Sequence, residues 1–136
     1  MKPRRRWLID GMNLIGSRPD KWWNDPDRAI HRAIDDLSRF GALVDGDVTV
    51  VFDRRPPDEH PGRHGDVVVA FASRRGRNAA DHEIVEMVAP YEDPASITVV
   101  TSDVRLSERV RQLGAQVVSA GTFRRRLDRI SATGAP

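Results

Sequence analysis

The feature that most constrains this chain is a series of short, almost unbroken apolar runs separated by amphipathic helical patterns. Val48-Thr49-Val50-Val51-Phe52 is typical: it shows no apolar/polar alternation, as expected of a strand covered on both faces. Five such strands are predicted, at Trp7–Ile9, Val48–Phe52, Val67–Phe71, Ile97–Thr101 and Gln116–Ser119. Strands that alternate with helices define an α/β domain built on a mainly parallel sheet. A chain of 136 residues, 39% of them hydrophobic, supplies one such domain and too little core for two.

The helices have their own signals. Ile30, Ala33, Ile34 and Leu37 fall at i, i+3, i+4 and i+7, which predicts a helix from about Asp27 to Phe40, capped by Asp25-Pro26 and ended by Gly41. A second helix follows Asn78 and stops at Pro90, and a third spans about Val104 to Leu113 before Gly114. A basic fourth runs from Thr122 to about Ile130, so the domain is placed at residues 1–130 and 131–136 are expected to be a disordered tail. Arg54–Asp66 holds three prolines and no helical period, and is read as a candidate substrate flap. In the irregular stretch Gly16–Asn24, Trp22 and Trp23 are adjacent, so one is expected to be exposed and able to stack on a base.

Composition removes several chemistries. With no cysteine, there is no disulfide scaffold, thiolate zinc site or cysteine nucleophile. The only lysines are Lys2 and Lys21, and no P-loop string occurs. No apolar run reaches the roughly 18 residues of a spanning helix, so no membrane association and a cytoplasmic location are expected. The net charge is only +2, but arginines gather at 4–6, 54–55, 74–77 and 124–126. Arg74, Arg75 and Arg77 lie just before the second helix, where a phosphate backbone would approach.

The acids are phased with the strands. In open parallel sheets, ligands bind beyond the carboxyl ends of the strands. Asp10 follows the first predicted strand, Asp53 the second, and Asp103 lies two residues past the fourth, while Asp81 is in the first turn of the helix after the third. Each has a structural alternative: Asp81 and Asp103 suit a helix dipole, Asn78 and Ser102 are cap candidates, Asp53 could open a turn, and Asp10-Gly11 could be a simple turn, although an apolar pair and not a returning strand follows Asn13. Four carboxylates at one sheet edge nevertheless repel unless a cation sits among them, and oxygen ligands favour Mg²⁺ or Mn²⁺ over zinc. Such ions activate water and neutralise a leaving oxygen in phosphoryl transfer.

The strings Leu8-Ile9-Asp10-Gly11-Met12-Asn13-Leu14-Ile15, Val50-Val51-Phe52-Asp53, Asn78-Ala79-Ala80-Asp81 and Val99-Val100-Thr101-Ser102-Asp103 resemble the motifs of NYN domains, in the YacP-like branch of the PIN-like ribonucleases. The resemblance covers about residues 6–128. It implies a three-layer α/β/α sandwich with five mainly parallel strands in the order 3-2-1-4-5, and metal-dependent endoribonuclease activity. It further implies a metal site and catalytic set of Asp10, Asp53, Asp81 and Asp103, with Asn13 supporting Asp10 and Thr101 or Ser102 holding the site or a phosphate. Met12 stands where this branch usually has an aromatic residue, and His82 follows Asp81 where a second acid is common. Glu83 is the candidate substitute, although it projects about 200° around the helix from Asp81.

Two further readings compete. One is a non-catalytic RNA-binding or ribosome-associated module that keeps the fold and the arginines. The other, a phosphoacceptor receiver domain, needs a lysine near the late strand ends, and none is present there.

Overall fold

The computed structural model describes residues 4–73 and 79–133. Six strands, β1 (Arg6–Asp10), β2 (Asp47–Phe52), β3 (Gly62–His64), β4 (Val67–Phe71), β5 (Ile97–Val100) and β6 (Gln116–Val118), form one sheet in the order β3-β4-β2-β1-β5-β6. Apart from β3, which pairs antiparallel with β4, all neighbours are parallel, so the five expected strands keep their expected order. β3 is the addition. It emerges from the proline-containing loop and caps the sheet edge as a three-residue strand without an apolar side chain.

Alternate residues of each central strand feed two separate cores. Ile9, Val50, Phe52, Val69 and Val100 pack on one face with the buried side chains of α1 (Gly11–Gly16), α2 (Pro26–Leu43) and α5 (Ala120–Thr133). Leu8, Val51 and Val99 pack on the other face with α3 (Ala79–Val88) and α4 (Val104–Gln112). This is the three-layer α/β/α arrangement, and it explains the unbroken apolar runs.

Several local expectations change. The helix α1 was not anticipated; Asp10 caps it by accepting a hydrogen bond from the Asn13 amide at 3.4 Å. It starts against β2 only because residue 11 is glycine, since a Cβ there would lie 2.4 Å from the Phe52 ring. Gly41 does not end α2, which continues to Leu43. Gly41 is instead the point where the helix meets the Asp66 carbonyl, which would lie 2.1 Å from a Cβ. α5 reaches Thr133, so residues 131–133 of the expected disordered tail are helical, and 134–136 lie outside the described residues.

The Arg54–Asp66 segment is fastened along α2 and is not a free flap. Arg54 bonds Asp27 at 2.7 Å, Glu59 and Asp58 hold the two ring nitrogens of His31, and the Asp66 amide donates to Ser38 Oγ at 3.0 Å. No described helix is long and apolar enough to cross a membrane.

Candidate active site

The parallel register brings the strand ends together. Asp10 is the last residue of β1 and pairs with Val51, Ile9 pairs with Val100, and Asp53 and Thr101 immediately follow β2 and β5. Asp81 joins them from the first turn of α3, and Asp103 from the cap of α4. All four aspartates line one open cleft of about 420 Å³, together with Asn13, Ser102 and Ala120. Among the described residues of its lining, no side chain is basic.

Asp10 is the buried member, with 5% exposure. Its Oδ2 accepts from Thr101 Oγ1 at 2.9 Å, while Oδ1 faces the Asn13 amide. Burial, followed by the charges of Asp81 and Asp103, pushes its pKa up to about 6 against the pull of those two hydrogen bonds. Asp53 and Asp81 are also raised, in each case chiefly by burial. The charges of Asp103 and Asp53 add to the rise at Asp81, and that of Arg109 opposes it. Asp81 is therefore electrostatically coupled to each of the other three acids.

The neighbouring polar groups act as a frame. Thr101 Oγ1, which donates to Asp10, also accepts the Asp103 amide at 3.1 Å. Asn13 supports the site through the strand end: its Oδ1 accepts the Ser102 amide at 2.7 Å, and only its backbone reaches Asp10. Ser102 Oγ accepts from the Ala120 amide at 2.9 Å, which ties the start of α5 to the same edge. The cap of α4 is Asp103 itself, not Ser102; its Oδ1 accepts from the Leu106 amide at 2.9 Å. Asp103 also lines the cleft.

Other candidates lie elsewhere. Glu83 binds the Ser73 amide and hydroxyl at 3.3 and 2.9 Å and does not line the cleft. His82 pairs with Glu86 at 2.9 Å, one helical turn on. Trp22 is half-buried and Trp23 exposed, and neither lines the cleft. Arg74, Arg75 and Arg77, like Asn78, lie outside the described residues. Sequence reasoning missed Arg109, because a basic residue in the last turn of α4 reads as a partner for the helix dipole and nothing local relates it to Asp81 on α3.

An all-oxygen donor set with mutually repelling carboxylates suits a hard divalent cation. Among the described residues, no three His, Asp or Glu side chains are already gathered into a metal-holding group. The fit therefore rests on donor chemistry and on excess negative charge.

Residues 7–135 match the model of the YacP-like NYN domain, and the chain belongs to that family. The crystal structure of a mutant of Rae1 (YacP) from Bacillus subtilis is similar, with 26% identity, a TM-score of 0.74, and 94% of this chain and 77% of that chain covered. The crystal structure of Rae1 (YacP) from the same organism has 24% identity and a TM-score of 0.75, covers 93% and 75% of the two chains, and shows likeness of fold. No curated protein matches the sequence. Family and fold together place the chain among nuclease-like, RNA-related domains.

Proposed function

We propose that this protein is an endoribonuclease that hydrolyses RNA phosphodiester bonds with Mg²⁺ or Mn²⁺ held by Asp10, Asp53, Asp81 and Asp103. The observation that carries the reading is that four carboxylates from four separate elements line one cleft with no basic side chain among the described lining residues. A bound ion of this class would supply an activated water and neutralise charge on the leaving oxygen.

The chain's own residues have distinct roles on this reading. Thr101 and the Asn13 amide fix the orientation of Asp10, so its carboxylate is presented without rotational search. The Leu106 amide restrains Asp103 through one oxygen at the lining of the cleft. Asp10, the most buried of the four and raised the furthest, is the residue whose charge most needs compensation, and Asp81 is the one coupled to all three others. Arg54 is hydrogen-bonded to Asp27, and its charge offsets only part of the rise that burial imposes on the adjacent Asp53. Arg74, Arg75 and Arg77, which precede α3 in the chain, are proposed to contact the RNA backbone as it approaches Asp81.

A pool of structured and single-stranded RNAs, incubated with wild type and with Asp10→Asn in Mg²⁺ and in EDTA, tests the reading. Cleavage by wild type in Mg²⁺ alone is expected. Binding without cleavage in every condition would make the protein an RNA-binding module instead.

A further inference from the structure

The loop between α1 and α2 carries a second set of groups that the acid cleft does not use. Lys21 has φ 54° and ψ 42°, the one left-handed non-glycine among the described residues. Side chains avoid that conformation unless their surroundings impose it. Here it turns the chain into the short 3-10 segment Trp22–Asn24. Trp22 packs against the core beside α2 and meets Trp23 edge-on, with ring centres 6.1 Å apart and planes at 82°. Trp23 is thereby held outward, with 59% of its surface exposed.

The charges around this indole are uneven. A groove of about 620 Å³ runs along the same loop, lined by the acids Asp20 and Asp25 as well as by Lys21, Trp22, Asn24, Arg28 and Arg32; Trp23 follows Trp22 in the chain and stands outside that lining. Arg32 is answered by Asp20 at 3.5 Å and Asp36 at 3.9 Å. Asp25 is occupied as the cap of α2, accepting the Arg28 amide at 3.2 Å. Among the described residues, the side chains of Lys21 and Arg28 have no acidic partner. The loop is also anchored at the acid cleft, because Gly16 and Ser17 are part of its lining. From Ser17 to Trp23 the chain can reach no further than roughly 20 Å.

We propose that Trp23, Lys21 and Arg28 form a subsite for single-stranded RNA, in which the indole stacks on a base beyond the cleft and the two cations hold neighbouring phosphates. An aromatic platform flanked by unpaired cations is the combination that single strands use, since every base has a π-face and every link a charge. The proposal rests on the ribonuclease reading, because it describes the path of a strand that crosses the acid cleft. It adds a preference for substrates with an unpaired flank.

Fluorescence anisotropy with a single-stranded 12-mer, a 4-mer and a 12-base-pair duplex RNA tests the subsite, using Asp10→Asn protein so that the RNA stays intact. Adding Trp23→Ala is expected to weaken 12-mer binding about 5- to 150-fold. It should also shrink the advantage of the 12-mer over the 4-mer and change duplex binding less. Trp23→Phe should restore much of the loss. Lys21→Gly suits the left-handed backbone, so it removes the cation without straining the loop; it should lower both affinity and the salt dependence of binding by about one phosphate contact. Wild-type cleavage of the same 12-mer is measured in parallel. Cleavage with 12-mer affinity unchanged by Trp23→Ala and Lys21→Gly would overturn the subsite, assign the indole to another partner, and leave the ribonuclease reading in place. Trp23-dependent binding of the single strand without cleavage would support the subsite while removing the ribonuclease reading. Equal losses for single strand and duplex would overturn stacking.

Discussion

The Thr101 hydroxyl donates to the buried carboxylate of Asp10 at 2.9 Å while accepting the Asp103 amide at 3.1 Å, so one side chain fixes two of the four acids. Thr101 is 1% exposed, and its loss would leave Asp10 without its side-chain donor. Thr101→Val is expected to destabilise the fold by about 1–3 kcal/mol in denaturant titrations. It should also raise the Asp10 pKa, because that hydrogen bond is one of the two influences holding it down. Thr101→Ser keeps the hydroxyl and should recover most of the stability. A loss in Thr101→Ser as large as that in Thr101→Val would show that the hydroxyl does not carry the effect, because serine keeps the hydroxyl and valine keeps the methyl group.

The raised pKa of Asp10 makes a signed statement about stability. An acid with a pKa of about 6 in the folded protein and 3.8 otherwise binds more protons when folded, so stability falls as pH rises between those values. Asp53 and Asp81, also raised, push in the same direction. In EDTA the protein should therefore lose stability from pH 4 to pH 7, with Asp10 contributing up to about 3 kcal/mol. Asp10→Asn retains a residue able to cap α1 and should flatten that part of the slope. Urea midpoints across the pH range measure it, and a slope unchanged in Asp10→Asn would remove Asp10 as its source.

Asp103 caps α4 and also faces the cleft, and one substitution separates the two roles. Asparagine caps about as well as aspartate, so Asp103→Asn keeps the bond to the Leu106 amide and removes the charge. With capping as its whole role, the variant would melt slightly lower with or without Mg²⁺, by about 0.3–1 kcal/mol of lost dipole interaction. As part of the acid cluster it should melt higher than wild type in EDTA and gain less from Mg²⁺. A lower melting point in EDTA together with an equal response to Mg²⁺ would take Asp103 out of the site.

The acid cluster was legible because an apolar run fixes where a strand ends, and in a parallel sheet the next residue faces the ligand edge; Val50-Val51-Phe52-Asp53 is the clearest case. The unread parts depend on tertiary contact or fall below the length at which a period is visible. α1 has six residues, too few for a helical stripe, although Asp10 and Asn13 carried its cap spacing. β3, Gly-Arg-His at the sheet edge, buries no apolar side chain and so leaves no pattern. Gly41 has the local signature of a helix stop, but its reason is the Asp66 carbonyl beside it, which local sequence does not record. Ser102 and Asp103 are both good cap residues, and the choice between them was settled by the position of the Leu106 amide. The double role of the Thr101 hydroxyl arises only where the ends of β1 and β5 meet, a tertiary contact that the sequence does not record.

The most direct measurement is the initial rate at which a single-stranded RNA is cleaved by wild type and by the four variants Asp10→Asn, Asp53→Asn, Asp81→Asn and Asp103→Asn, each in saturating Mg²⁺ and in EDTA. The account predicts Mg²⁺-dependent cleavage by wild type and a loss of about 100-fold or more in each folded variant, since each removes a charge from the site that must hold the cation. Cleavage that persists in EDTA, or wild-type rates in Asp10→Asn and Asp81→Asn, would contradict it.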